Sequence, residues 1–344
     1  MQQSPAIEAV APLRASEDPR QTWVISDGRA GNHRQALALA HHLHRAATEI
    51  LVTTRKPWSH AAPRVLPFAS RAFDEPIRSV LTGALHAPAL VIGCGRQAAL
   101  ATRLLRARGS FAIQILNPRL PSSLWDIVIA PEHDGIHGQN ILTLPGSIHD
   151  VTPLRLAAIA STPHAFQSMP SPRVALLIGG DTHNQSFDQP AFAALLEEVK
   201  AFVRRADGSL LISNSRRTPQ VVSDGLRDAV DDLPSYVWTG ADDAARLGEF
   251  PHNPYSHYLA LSDVIICSAD SVSMLSEAAA TRAQLFVFGD VSGTSAPSKF
   301  ARQLIELGRA QVWTGDAALA EVTPLDTNGD LVTRLHHLGA MLHP

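Results

Sequence analysis

From Thr22 onward, short apolar β-rich runs alternate with stretches whose hydrophobic positions recur at helical spacing. Thr22–Ser26 (TWVIS) reads as a strand, and the Ala/Leu/His segment Gln35–Ala46 as the helix that follows it. Glu49–Thr53 and Ala89–Ile92 are further strands, the latter leading into a helix over Arg96–Arg108. Phe111–Leu116, Ile127–Ala130 and Asn140–Leu144 complete the first half. Strand, helix, strand in this rhythm predicts parallel strands joined by helical crossovers.

Between Pro153 and Pro172 the rhythm stops. Pro153, Pro163, Pro170 and Pro172 interrupt regular elements there and predict a connection between domains. It then restarts with strand Arg173–Ile178, helix Pro190–Arg205, strand Leu210–Ser213, helix Pro219–Val230 and strand Tyr236–Trp238. Asp263–Cys267, helix Ser273–Ala280, strand Gln284–Phe288 and helix Ser298–Leu307 follow, before an amphipathic tail. The second half repeats the architecture of the first without its sequence. The expected fold is therefore α/β, with two Rossmann-like doubly wound domains facing across a cleft and a nucleotide-type pocket between them. The expected division is a loose tail (1–20), an N-terminal domain (21–155), a linker (156–172), a C-terminal domain (173–315) and a helical tail (316–344).

Composition narrows the function more than the fold. At 344 residues the chain exceeds the roughly 250–300 at which one core stops growing, so two domains are expected. A net charge of −3 gives no electrostatic basis for binding nucleic acid or an anionic membrane. The 2 cysteines, Cys94 and Cys267, lie far apart without ligand-type spacing, which indicates neither a disulfide framework nor a zinc site. Glu8, Glu17 and Asp18, with no apolar run beside them, do not read as a signal or transit peptide. No apolar stretch reaches the roughly 18–20 residues that span a bilayer. A soluble, cytoplasmic protein is expected.

Ligands of open parallel sheets bind where strands end and helices begin. The first such junction is Ser26-Asp27-Gly28-Arg29-Ala30-Gly31-Asn32-His33-Arg34-Gln35. Gly28 and Gly31 allow backbone N–H groups to approach an anion, with His33 and Gln35 nearby. A tight turn capped by Asn32 is the competing account. Gly93-Cys94-Gly95-Arg96-Gln97 places Arg96 at a helix entrance, either for an anion or as a surface arginine. Asn117-Pro118-Arg119 is a similar, weaker junction. In the second half, Gly179-Gly180-Asp181 could surround a diphosphate, although Asp181 would repel it. Arg216 and Arg217 could neutralise that charge or lie on a solvated loop. Finally, Ser271 and Ser273 precede a helix on which Glu277 lies one turn further in. They suit a phosphate and a ribose, or simply a capping box. No GxSxG, HExxH or Tyr-x-x-x-Lys pattern occurs, and the 16 histidines assemble no second ligand set around His41, His42 and His44, so no metal is expected.

The segments SDGRAGNHRQ, VIGCGRQ, ILNPR, LLIGGDTHN, SNSRRTP, SADSVSMLSEA and FGDVSGTSAPSKF, spread from Trp23 to Trp313, resemble the mitochondrial-fission "elongated mitochondria" family. That family is in turn similar to GT-B glycosyltransferases, especially the lipid-linked N-acetylglucosaminyltransferase of peptidoglycan synthesis. The resemblance implies a GT-B-like fold with an N-terminal acceptor domain and a C-terminal nucleotide-sugar domain. It places the donor at Gly179, Gly180, Ser271, Ser273 and Glu277, and the glycine-rich acceptor loop at Gly28, Gly31 and His33. Asp181 and Asp270 put acids where that enzyme group has small or neutral residues.

The function expected from residues and resemblance together is a metal-independent, NDP-sugar-dependent glycosyltransferase without a bound cofactor, the nucleotide sugar being a co-substrate. Its diphosphate would lie at Ser271, Ser273 and Arg216 or Arg217, and its ribose at Glu277. His33 or Asp27 would be the general base. Gly28, Gly31, Gln35, Arg96 and Asn117 would bind an acceptor of unknown identity. The alternative is a non-catalytic GT-B-like scaffold that recruits a protein partner at a membrane, with peripheral contact at its inner face.

Overall fold

The computed structural model describes residues 21–162, 168–182, 186–240, 253–320, 322–326 and 328–337. The expected tail 1–20 lies outside them, as do His183, Asn184 and the last residues of the expected helical tail. Contacts divide the chain into two units. The first runs to Ile129 and includes Gly138–Ile141; the second takes Ala130–His137 and Leu142–Leu338.

Strands β1 (Thr22–Ser26), β2 (Ala47–Leu51), β3 (Leu90–Cys94), β4 (Phe111–Ile115), β5 (Ile127–Pro131) and β6 (Ile141–Leu144) form a sheet of order β2-β1-β3-β4-β5-β6, of which β1 to β4, Ile127–Ile129 of β5 and Ile141 of β6 belong to the first unit. Every register from β2 to β5 is parallel. β1, β3 and β5 are buried at every residue, because helices cover both faces of a parallel sheet. The edge strand β2 buries only Ile50 fully, and its sequence is correspondingly mixed. The helices are α1 (Ala30–His42), α2 (Trp58–Ala61), α3 (Ile77–Thr82) and α4 (Arg96–Arg106). Ala98, Ala99, Leu100, Ala101 and Leu105 turn α4 inward, the three alanines leaving room for it to lie close to the strands.

The second unit carries α5 (Pro153–Ser161), β7 (Arg173–Ile178), α6 (Gln189–Arg205), β8 (Ser209–Asn214), α7 (Gln220–Ala229), β9 (Ser235–Trp238), α8 (Tyr255–Leu261) and β10 (Val264–Ser268). Then follow α9 (Val272–Ala279), β11 (Gln284–Phe288), α10 (Ala296–Glu306), β12 (Ala310–Val312) and α11 (Gly329–His337). The strand order is β12-β11-β10-β7-β8-β9, all parallel. Alternation along each strand feeds two cores. Ala175, Leu177, Ile265, Cys267 and Val287 pack on one face with Leu275 and Phe300. Val174, Leu176, Ile266 and Phe286 pack on the other with Phe192, Phe202 and Trp313.

The expected linker differs from what is found. Pro153 does not interrupt a helix but begins one: it is the first residue of α5, where a missing N–H costs nothing, and Thr152 caps the turn by accepting from Arg155 N–H at 3.2 Å. α5 packs against α8, with Leu156 joining the core of the second unit. Among the described residues no helix is long and apolar enough to cross a membrane.

Candidate functional site

In the second unit the chain leaves β7 for β8 and β9 on one side and returns to β10 on the other, so the crevice of the sheet opens beyond β7 and β10. Gly179 and Gly180 occupy the end of β7. A Cβ on Gly179 would fall 1.8 Å from Asp270 Oδ1, and one on Gly180 would fall 2.0 Å from the Arg217 carbonyl carbon. The glycines therefore exist to let three loops close on one another. Gly180 N–H donates to Asp270 Oδ2 at 3.1 Å, and Arg217 Nη1 lies 2.6 Å from the same oxygen. Arg217 also donates to the carbonyls of Gly180 and Asp181, both at 3.1 Å, while Asp181 N–H donates to Arg217 O at 2.9 Å. The Ser268 hydroxyl donates to Asp270 as well.

This arrangement places the expected donor residues unequally. Gly180 N–H and the Arg217 guanidinium, both expected at a diphosphate, are engaged by Asp270. Arg216 beside them is exposed. Ser271 is the N-cap of α9 and accepts from Met274 N–H at 3.4 Å, which is the capping account of that serine. Ser273 stands half-buried in the first turn, where helical N–H groups have no acceptor within the helix. Glu277 is buried and accepts from the Tyr255 hydroxyl at 2.6 Å. Sequence reasoning missed both Tyr255 and the tie made by Asp270. The tie had a faint signal, in that Asp270 is an acid where the resembled enzymes have small or neutral residues; Tyr255, on a helix 22 residues away from Glu277, had none.

A cavity of about 1190 Å³ opens beside this crevice, between the starts of α6 and α10. It is lined by Gly180, Ser268, Asp270, Phe288, Ser295 and Trp313 among others, but not by Arg216, Ser271, Ser273 or Glu277. Of the expected donor residues it therefore reaches only Gly180.

In the first unit the strand order reverses between β1 and β3, and a cavity of about 570 Å³ lies beyond their ends. Asp27, Arg96 and Asn117, all expected there, line it. Asp27 Oδ1 accepts from Asn32 Nδ2 at 2.9 Å and from Arg29 N–H at 3.3 Å. Gly95 makes this possible: its φ of +94° is left-handed, and a Cβ there would fall 2.5 Å from Asn32 Nδ2. Gly28, Gly31, His33 and Gln35 do not line the cavity. Gly28 provides a left-handed turn at φ +77° in open space, Gly31 lies in the first turn of α1, and Gln35 is buried. His33 has both ring nitrogens occupied, Nδ1 by the Ser26 hydroxyl at 3.0 Å and Nε2 by Glu49 Oε2 at 2.8 Å.

Burial pushes the thiols of Cys94 and Cys267 well above the usual range, with Asp27 adding to the first and Asp270 and Glu277 to the second. Neither is available as a nucleophile. Among the described residues, no three His, Cys, Asp or Glu side chains are placed to hold a metal ion.

Solved structures with this fold include the UDP-GlcNAc 2-epimerase of Methanocaldococcus jannaschii, at a TM-score of 0.53 and 12% identity over 92% of this chain and 99% of the other. The UDP-GlcNAc 2-epimerase of Neisseria meningitidis bound to UDP-GlcNAc matches at a TM-score of 0.50 and 12% identity, over 92% and 100%. The architecture is thus GT-B-like, built from two doubly wound α/β units. In sequence, the mitochondrial fission protein ELM1 of Arabidopsis thaliana is 28% identical over 279 residues, which is 72% of this chain. The chain spans 63% of that relative's length. A protein of Rickettsia prowazekii is 27% identical over 342 residues, covering 87% of this chain and 92% of its own. The family model described as mitochondrial fission ELM1 matches residues 30–337, and the chain belongs to that family.

Proposed function

We propose that the second unit binds a nucleotide sugar and that the chain is a glycosyltransferase. The observation that carries this reading is Glu277. It is a buried carboxylate fixed by Tyr255, on the helix that begins at the crevice of a doubly wound sheet. A carboxylate accepts several hydrogen bonds at once and suits the paired hydroxyls of a ribose. The first turn of α9, with Ser273 and the exposed Arg216, receives the diphosphate. Transfer follows from these parts. An acceptor hydroxyl oxygen attacks the anomeric carbon, the bond from that carbon to the diphosphate oxygen breaks, and the nucleotide leaves with the electron pair. Asp27 takes the hydroxyl proton; it lines the cavity of the first unit, whereas both nitrogens of His33 are engaged. Arg216 and the helix N–H groups stabilise the leaving charge, so no metal is needed.

One observation favours a different reading, a scaffold that recruits a protein partner: at the crevice Asp270 pairs with Arg217 and with Gly180 N–H, so the protein's own charges engage groups expected at a diphosphate. The lack of a Tyr-x-x-x-Lys pair speaks against only one epimerase design, and neighbours at 12% identity contribute the fold rather than the reaction. The deciding experiment is a thermal-shift series with UDP, GDP, TDP, CMP and their sugars in EDTA, since a ligand of the native state raises Tm by mass action. One nucleotide should raise Tm. Arg216→Ala should weaken its diphosphate roughly 10-fold or more, as expected for a lost charge-assisted bond, and Glu277→Gln should weaken nucleoside and diphosphate alike. No shift with any nucleotide would leave the scaffold as the function.

A further inference from the structure

The cavity of the first unit is lined by four arginines, Arg29, Arg64, Arg96 and Arg119, against one carboxylate, Asp27. The chain as a whole carries 32 acidic residues and 29 lysines and arginines, so composition does not explain this local excess of cations. Nor do ion pairs absorb it. Arg96 is held by backbone carbonyls alone, of Ser59 at 3.0 Å and of His60 at 3.4 Å, which aim its guanidinium without neutralising it. Arg64 and Arg119 are exposed and have no ion-pair partner among the described residues. Arg29 reaches Asp27 Oδ2 only at 3.8 Å, and Asp27 Oδ1 accepts from Asn32 instead.

The backbone beyond β4 is bent to present one of these cations. Leu116 and Arg119 both adopt left-handed conformations, at φ 72° and 56°, which side-chain-bearing residues rarely do. Asn117 holds the bend by accepting from Arg119 N–H at 2.8 Å through its side chain. Such a conformation persists only where surrounding structure imposes it, and here it brings Arg119 to a cavity rimmed by other arginines.

We infer that the first unit carries its own anion site, for a phosphomonoester or diphosphate group. Guanidinium forks match phosphate oxygens two at a time, and several of them exceed what a single carboxylate would neutralise. A volume of about 570 Å³ accommodates a phosphorylated small molecule or the headgroup of a phospholipid. Calling that ligand the acceptor rests on the glycosyl transfer proposed above; the site itself does not.

The test titrates the full chain with inorganic pyrophosphate by calorimetry, with and without saturating UDP. The Arg64→Ala/Arg119→Ala protein, changed only at exposed side chains, and Arg216→Ala of the second unit are titrated alongside. The expected result is pyrophosphate binding that survives UDP, falls at least tenfold in the double variant, and is unchanged in Arg216→Ala. Affinity unaltered in the double variant, or binding lost in Arg216→Ala instead, overturns the inference. A chain that binds no UDP yet shows the arginine-dependent pyrophosphate site would lose the glycosyltransferase reading and keep this one. Sedimentation with vesicles of phosphatidylcholine, with and without phosphatidic acid, then separates the sources. Arginine-dependent capture by phosphatidic acid assigns a lipid headgroup, and binding of soluble pyrophosphate alone assigns a free ester.

Discussion

Asp270 shows how one residue can reverse the meaning of a motif. An acid at the start of a would-be phosphate-binding helix argues against a phosphate if it faces the ligand. Here it faces the protein, joining the turn after β7 to Arg217 after β8 and to its own strand end. Gly179 is the residue that permits this, since the Asp270 carboxylate fills the volume a side chain would need. The Gly179→Ala substitution should therefore force Asp270 from its partners and destabilise the second unit by about 1–3 kcal/mol, the usual cost of overpacking a tight site. Urea unfolding followed by tryptophan fluorescence measures it. An unchanged midpoint would mean that Asp270 moves aside freely and that the tie is not a constraint. The same tie explains why Arg217 and Arg216, adjacent and chemically identical in the sequence, part company in the fold. Both are exposed, but Arg217 is tied to Asp270 and to the carbonyls of Gly180 and Asp181.

At the scale of elements, legibility tracks burial. β7 and β11 match the expected strands Arg173–Ile178 and Gln284–Phe288 residue for residue, because strands buried on both faces are continuous apolar runs. α2, α3, α8 and β12 were not foreseen. They are 4, 6, 7 and 3 residues long, too short for periodicity to show. The junction residues Gly179 and Asp27 were singled out by residue type and their place after a strand, and Glu277 by its place one turn into α9. The arginine-lined cavity was only half visible, since Arg29, Arg64, Arg96 and Arg119 come from four separate segments that only the fold brings together. Arg309 is a similar case. Its buried guanidinium donates to Ala279 O at 2.8 Å, Ala278 O at 3.1 Å, Thr281 O at 2.9 Å and Ala283 O at 3.1 Å, closing the C-terminal end of α9. Burial lowers its pKa to about 10, so it stays charged at neutral pH and complements the negative end of the helix. Arg309→Met keeps the aliphatic stem but removes four donations; Ala279 O and Ala278 O keep the N–H groups of Leu325 and Thr281, while the carbonyls of Thr281 and Ala283 lose the guanidinium. It should cost about 2–3 kcal/mol by urea unfolding. A loss confined to a few tenths would show that water replaces the guanidinium and that α9 does not depend on it.

Over the whole molecule, the chain changes unit earlier than its prolines suggested. Ala130–His137 packs with the second unit, Gly138–Ile141 with the first, and Leu142 onward with the second again. The excursion is held within the second unit by side chains. Glu132 accepts from Gln303 at 2.6 Å, and the His133 ring lies 6.2 Å from that of Phe300, both partners being on α10. Burial lowers the His133 pKa below its ordinary 6.5; Lys299 adds to that, while Asp134 and Glu132 oppose it. The sign of the pH effect follows from linkage. Between the folded and unfolded values, the unfolded chain binds the extra proton, so stability is complete above the unfolded value near 6.5 and falls as acid is added toward the folded one. The slope from one such group is at most about 1.4 kcal/mol per pH unit. The second unit should therefore show a Tm that is flat from pH 8 to pH 6.5 on this group's account and declines below. In His133→Gln, a neutral side chain of similar length, the decline should be shallower by the contribution of one proton. Equal slopes in the two proteins would show that His133 titrates normally and that the excursion is not anchored by a buried neutral ring. A shallower slope would make this short segment, rather than the proline-rich stretch that follows it, the place where acid first loosens the second unit.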